Sequence, residues 1–247
     1  MNTSMNLVIP MAGAGRRFLE TGCSRPKMLL DVQGKPMLYW ALDSLREHVC
    51  LDGTVFVCLE EHLNVWDLEK KIRDYGIRPR IVAVPSVTRG QAETVLLAQG
   101  ALNPSAPLLI YNCDTYMTSS LGRTLRSLDD GIDGLISVFP SSNPAYSYVE
   151  LDSAGFVVRV KEKEVISDLA STGLYYFSAA ASFVQAAEDA IAGGVSDGGE
   201  YYVAPLYNLL LAGGARIVTD LARTCHPLGT PEELREFISL HSAPGSS

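Results

Sequence analysis

The sequence predicts an α/β fold, a doubly wound, mostly parallel sheet with a small antiparallel extension. Through roughly the first 140 residues, apolar runs short enough to be buried strands alternate with helix-like stretches. The first run stops in a glycine-rich turn, as a buried strand feeding a loop does. Past residue 140 the alternation gives way to hairpin-like segments.

Leu7 to Pro10 is the first strand, and Met11, Ala12, Gly13, Ala14, Gly15, Arg16 and Arg17 form the loop after it. The apolar runs Gly53 to Leu59, Arg80 to Val84, Pro107 to Asn112 and Gly134 to Phe139 read as further parallel strands. Between them, Met37 to His48, His62 to Tyr75, Ala92 to Ala101 and Leu121 to Asp129 repeat apolar residues three and four apart, the spacing of one helix face. Tyr146 to Leu151 and Phe156 to Lys161 predict a hairpin around Asp152 to Gly155, and Gly173 to Phe177 one more strand. Helices over Ala180 to Ala192, Tyr202 to Ala212 and Pro231 to Leu240 complete one domain, and Ala243 to Ser247 is a small polar tail. Ligands of such sheets bind outside the C-terminal strand ends, where both the glycine loop and Asp114 fall.

The chain has 247 residues, 47% of them hydrophobic, enough for a sizeable core. Its 20 Lys and Arg against 28 Asp and Glu leave a net charge of -8 and no basic face for tracking nucleic acid. An anionic small molecule stays compatible with that charge, because local amides and a divalent cation set the field at a site. Cys23, Cys50, Cys58, Cys113 and Cys225 are scattered and odd in number, which predicts free thiols in a reducing cytoplasm, with neither disulfides nor zinc. No apolar run approaches the roughly 20 residues that span a bilayer, so no membrane partner is expected.

The loop holds Gly13 and Gly15 two apart, with Arg17 behind them. Glycine lets backbone amides approach phosphate oxygens, and arginine adds charge-assisted hydrogen bonds. Its continuation is Arg25-Pro26-Lys27 and then Gly34-Lys35-Pro36-Met37. In this order and spacing the chain resembles the sugar-phosphate nucleotidyltransferases, or nucleoside-diphosphate-sugar pyrophosphorylases, which have a Rossmann-like, glycosyltransferase-A-type fold. The resemblance implies a nucleotide-binding half over residues 1–140 and an acceptor-binding half over 141–242.

It also implies roles. Met11, Ala12, Gly13, Ala14, Gly15 and Arg17 would hold a nucleoside triphosphate, and Lys27 the α-phosphate or leaving group. Gly90-Gln91-Ala92-Glu93-Thr94 resembles the base-recognition segment, which points to Gln91 and Thr94. Asn112-Cys113-Asp114 matches the family's metal position, and the Asp114 carboxylate suits Mg²⁺, which prefers hard oxygen ligands. Glu162-Lys163, the strand at Gly173, Glu200 with Tyr201 and Tyr202, and Tyr207 with Asn208 resemble the acceptor side; Lys161 is the near rival of Lys163, and plain helix packing is the alternative for Tyr207.

One departure stands out. The wider family often places a second metal-binding Asp just before a Gly-Thr pair near the C-terminus, where this chain reads Cys225-His226-Pro227-Leu228-Gly229-Thr230-Pro231-Glu232-Glu233. His226 and Asp220 are the candidate substitutes. This ending resembles a short capsule-type or cytidylyltransferase-like subgroup, which implies a pyrimidine triphosphate, CTP first. The acceptor is by default a sugar 1-phosphate, with a phosphonate or other non-sugar phosphate as the alternative. The expected reaction is attack by the acceptor on the α-phosphorus, with Mg²⁺ as cofactor and pyrophosphate leaving. A glycosyltransferase consuming a nucleotide sugar and a non-catalytic nucleotide-binding module are the competing readings, and a homo-oligomer is compatible with the sequence.

Overall fold

The computed structural model describes residues 5–241, so the tail expected over Ala243 to Ser247 lies outside it. β1 (Asn6–Met11) leads into α1 (Arg16–Leu19), a 3-10 turn over Lys27–Leu29, and the short strands β2 (Asp31–Val32) and β3 (Lys35–Pro36). α2 (Met37–Arg46), β4 (Val55–Leu59), α3 (Glu60–Trp66), α4 (Leu68–Asp74), β5 (Arg80–Val84), α5 (Gln91–Leu96) and β6 (Leu108–Tyr111) follow. Next come β7 (Thr115–Thr118), α6 (Leu121–Arg126), β8 (Gly134–Pro140), β9 (Ser147–Leu151), β10 (Val157–Glu162) and β11 (Leu169–Phe177). α7 (Ala180–Ala192), α8 (Leu206–Ala212), β12 (Ile217–Leu221), β13 (Thr224–Pro227) and α9 (Pro231–His241) end the described chain.

Among the described residues, nine strands form one sheet, in the order β5-β4-β1-β6-β11-β9-β10, with β8 beside β11 and β12 beside β8. β5, β4, β1 and β6 are parallel throughout. β11 runs antiparallel to β6, β8 and β9, and this is the antiparallel extension. Alternate residues of the central strands feed opposite faces. Val8, Val55, Val57, Leu108 and Ile110 pack under α5, α7 and α8, while Leu7, Ile9, Phe56, Leu109 and Tyr111 pack under α2 and α4. Burying a side chain such as Phe56 contributes roughly 1.5–3 kcal/mol.

A third cluster, Phe18, Val32, Met37, Leu228 and Phe237, docks α9 against the segment around β2 and β3. The Phe237 and Trp40 rings meet edge to face at 4.9 Å. This small core brings the last helix next to the first glycine loop.

Several expected elements differ in detail. His62 to Tyr75 is two helices, because Asp67 takes a left-handed backbone (φ 49°) between them. The helix expected from Ala92 to Ala101 ends at Leu96, and a separate 3-10 turn covers Gln99–Ala101. α8 begins only after Pro205, since the residue before a proline is disfavoured in helix; Tyr202 is irregular, and Val203 to Pro205 form a bend and turn leading into the helix. β12 and the β7–β13 pair were not anticipated: both depend on partners distant in sequence.

Candidate functional site

The C-terminal ends of β1 and β6 and the middle of β11 open onto one cleft of about 480 Å³. Met11, Ala12, Gly13, Ala14, Gly15, Arg17, Lys27, Gln91, Thr94, Asn112, Asp114, Glu162, Lys163, Gly173 and Glu200 all line it. Met11 and Ala12 send their side chains into the two opposite cores, so the chain emerging from β1 is held firmly at its base. Gly15 caps α1 in the left-handed region (φ 61°), and Arg16 and Arg17 lie exposed beyond it.

Lys27 sits in the 3-10 turn, which is anchored by the buried Met28 and Leu29. Its Nζ donates to Asp114 Oδ2 at 2.5 Å, with side-chain exposures of 25% for Lys27 and 14% for Asp114. Burial pulls the lysine down, but the Asp114 carboxylate overrides it and holds the ammonium above the ordinary lysine range. Burial pushes the Cys113 thiol up to about 12, against the opposing pull of Lys27, so this thiol is no nucleophile at neutral pH.

At the same C-terminal end of β6, Gln91 Nε2 donates to Asn112 Oδ1 at 2.6 Å. Asn112 N–H donates to Gly173 O at 3.2 Å. Gly173 has φ +85°, and a Cβ there would stand 2.1 Å from Asn112 Nδ2, so only glycine fits. The β11–β8 register shifts between Ser171 and Tyr175 around this glycine, an irregularity of the kind that opens a strand beside a site. Thr94 Oγ1 donates to Gly90 O at 2.9 Å and meets Thr88 Oγ1 at 2.5 Å, so its hydroxyl braces the loop before α5.

The far wall is made of side chains. Lys163 lies in the left-handed region (φ 53°) just after β10, a conformation costly for a non-glycine residue. Its Nζ donates to Tyr202 OH at 2.5 Å. Tyr202 hydroxyl donates in turn to Glu200, and the Ser147 hydroxyl to Glu162. Burial holds the Glu162 carboxyl above the usual carboxylate range, and the Ser147 hydrogen bond and Lys163 oppose that shift only in part. Lys161, by contrast, is absent from the cleft lining and pairs with Glu164 at 3.5 Å.

Neither substitute considered for the missing aspartate lies in this cleft. Asp220 is buried on β12, where its Oδ1 accepts from Thr124 Oγ1 at 2.6 Å. His226 packs between Tyr116 and Phe237, and burial, then His241, lower its pKa. Tyr207 is a packing residue, fully buried, with its hydroxyl donating to Tyr176 O at 2.8 Å. Lining residues that the sequence did not single out include Thr88, Tyr146, Ser147, Thr172 and Glu233. Thr172 and Glu233 stand in segments already suspect; nothing local marks Tyr146 or Ser147.

A family model described as "MobA-like NTP transferase domain" matches residues 7–170. The bifunctional protein GlmU of Burkholderia multivorans is 28% identical over 87% of this chain and 46% of its own length. A 2-C-methyl-D-erythritol 4-phosphate cytidylyltransferase of Trichodesmium erythraeum is 32% identical over 44% of this chain and 52% of its own length. The chain thus spans about half the length of these curated relatives. The crystal structure of the nucleoside-diphosphate-sugar pyrophosphorylase from Vibrio cholerae RC9 superposes with a TM-score of 0.82 at 28% identity, covering 94% of this chain and 99% of that one. No helix among the described residues is long and apolar enough to cross a membrane.

Proposed function

We infer the activity from one premise: the chain belongs to the family of MobA-like NTP transferase domains. It transfers a nucleotidyl group from a nucleoside triphosphate to a small phosphorylated acceptor and releases pyrophosphate. The observation that carries this reading is a single cleft joining the glycine loop, the Lys27–Asp114 pair and the Lys163 wall.

The backbone from Gly13 to Gly15, with Arg17, receives the triphosphate. Lys27 then leaves Asp114 for the α-phosphate or the departing pyrophosphate. Lys163 holds the acceptor's phosphate and Glu162 a neighbouring hydroxyl, so the attacking oxygen faces the α-phosphorus. One bond forms from that oxygen to phosphorus while the bond to the β-phosphate oxygen breaks. The attacking oxygen is already anionic, so no general base is needed, and positioning with charge neutralisation supplies the rate.

A divalent cation fits the donors present. Asp114 offers a hard oxygen, and Gly229 leaves the space beside it open: a Cβ on Gly229 would sit 3.0 Å from Asp114 Oδ2. Among the described residues no three His, Cys, Asp or Glu groups converge as a complete metal cage, so substrate phosphates and water would complete the shell. Bound there, Mg²⁺ would neutralise the phosphate charges that Asp114 gathers it against.

The family default for the acceptor is a sugar 1-phosphate, and the name of the Vibrio neighbour, a nucleoside-diphosphate-sugar pyrophosphorylase, accords with nucleotide-sugar synthesis. For the base we favour a pyrimidine, CTP first, supported by the cytidylyltransferase relative. Gln91 and Asn112 would read its edge. A cytosolic location and a homo-oligomer belong to the same proposal. A matrix of triphosphates against sugar phosphates and phosphonates, read by pyrophosphate release, tests it: one productive pair is expected, and silence across the matrix refutes the activity.

A further inference from the structure

The proposed reaction leaves the cation with a single protein carboxylate, because no aspartate stands just before the Gly229-Thr230 pair, where the family resemblance places a second one. The fold brings another acid to the same place. β13 pairs with β7, setting Pro227 opposite Thr115, and Leu228 N–H donates to the carbonyl of Asp114 at 2.8 Å. The chain then turns through Gly229 and Thr230 into α9, where Thr230 Oγ1 accepts from Glu233 N–H at 3.1 Å. One point, the position of a Cβ on Gly229, lies 3.0 Å from Asp114 Oδ2 and 3.7 Å from Glu233 Oε2. The glycine keeps that space free between two carboxylates distant in sequence.

We propose that Glu233 supplies the second carboxylate of the divalent-cation site, facing Asp114 across Gly229; this rests on the nucleotidyl-transfer reading above. Three features favour it over an ordinary exposed acid in a first helical turn. Glu233 lines the cleft, whereas its neighbour Glu232 pairs outward with Arg235. Its Oε1 accepts from Tyr146 OH at 2.7 Å, which fixes the carboxylate and leaves Oε2 for an ion or an ion-bound water. Asp114 Oδ2, the oxygen on the Gly229 side, already holds a cation, the Lys27 ammonium. Mg²⁺ keeps several waters when few protein oxygens are offered, so two carboxylates and a triphosphate make a complete set.

The test is Mn²⁺ binding, followed by the loss of the free-ion electron paramagnetic resonance signal beyond that caused by the same CTP without protein, with acceptor omitted. Wild type, Asp114→Asn, Glu233→Gln, Tyr146→Phe and the control Glu232→Gln are compared, with circular dichroism confirming the fold of each. We expect Glu233→Gln to weaken Mn²⁺ binding about tenfold, Tyr146→Phe to weaken it by a smaller factor, and Glu232→Gln to match wild type. Loss in Asp114→Asn with unchanged affinity in Glu233→Gln overturns the inference and leaves the proposed function standing. No ion binding in wild type, or none that depends on Asp114, overturns both. If Glu233→Gln does not fold, Tyr146→Phe decides: wild-type affinity there refutes the inference.

Discussion

The two walls of the cleft are built by different means. On the parallel side, β1 and β6 are buried on both faces, and what they present to the cleft is backbone, the glycine loop, and a few side chains at strand ends. On the antiparallel side, Tyr146, Glu162, Lys163, Glu200 and Tyr202 reach in from separate loops and strands, Lys163, Tyr202 and Glu200 joined in one hydrogen-bonded chain, Glu162 held by Ser147 and Tyr146 by Glu233. A triphosphate presents the same charged oxygens whatever its base, so a fixed backbone cradle suits it. Acceptors differ in their hydroxyls and substituents, and a wall of side chains can change with them while the sheet stays put.

That contrast can be broken at its strongest point first. Asp114→Asn and Lys27→Met remove charge stabilisation common to every acceptor, so each should lower kcat by about a hundredfold or more with all substrates and leave the melting temperature of the fold near wild type. A loss confined to one acceptor would place these residues on the wrong wall.

Gly173→Ala joins the two walls, since its methyl would collide with Asn112 and sit at φ +85°. It should cost about 2 kcal/mol in urea unfolding and weaken triphosphate and acceptor alike. Lys163→Met should raise KM for the acceptor about tenfold while leaving triphosphate affinity, measured by calorimetry, unchanged. The smallest effect is in pH. Glu162 is raised by burial above its ordinary 4.5, so its carboxylate form is lost at a higher pH than usual as acid is added. Acceptor KM should therefore rise as pH falls through a midpoint above 4.5, and Glu162→Gln should abolish that inflection with a few-fold higher KM throughout.

The parallel wall was the more legible in the sequence for a physical reason. Apolar strands such as Val55–Leu59 carry their burial in composition, and a loop such as Gly13 to Arg17 is contiguous, so both can be read locally. Lys27 and Asp114 were legible as types, and their meeting required the 3-10 turn to stand beside the end of β6. The antiparallel wall depends on long-range pairing. Thr115–Thr118 and Thr224–Pro227 are only four residues each and lie more than a hundred residues apart, and their pairing stands beside the small core in which Leu228 and Phe237 pack. Asp220 and His226 looked suitable as ligands by type, yet β12 buries one and an aromatic cluster absorbs the other. Glu233 was overlooked because its role depends on the turn at Gly229, a geometry that the spacing of residues does not encode.

The proposed reaction brings two phosphate-bearing molecules together in this cleft to exchange a nucleotidyl group. Phosphorus-31 nuclear magnetic resonance of the productive triphosphate and acceptor, with Mg²⁺ and wild-type protein, tests it directly. Equal amounts of pyrophosphate and a diphosphate-bridged product are expected, both absent when acceptor is omitted. Orthophosphate with nucleoside diphosphate, or pyrophosphate formed without acceptor, would contradict it.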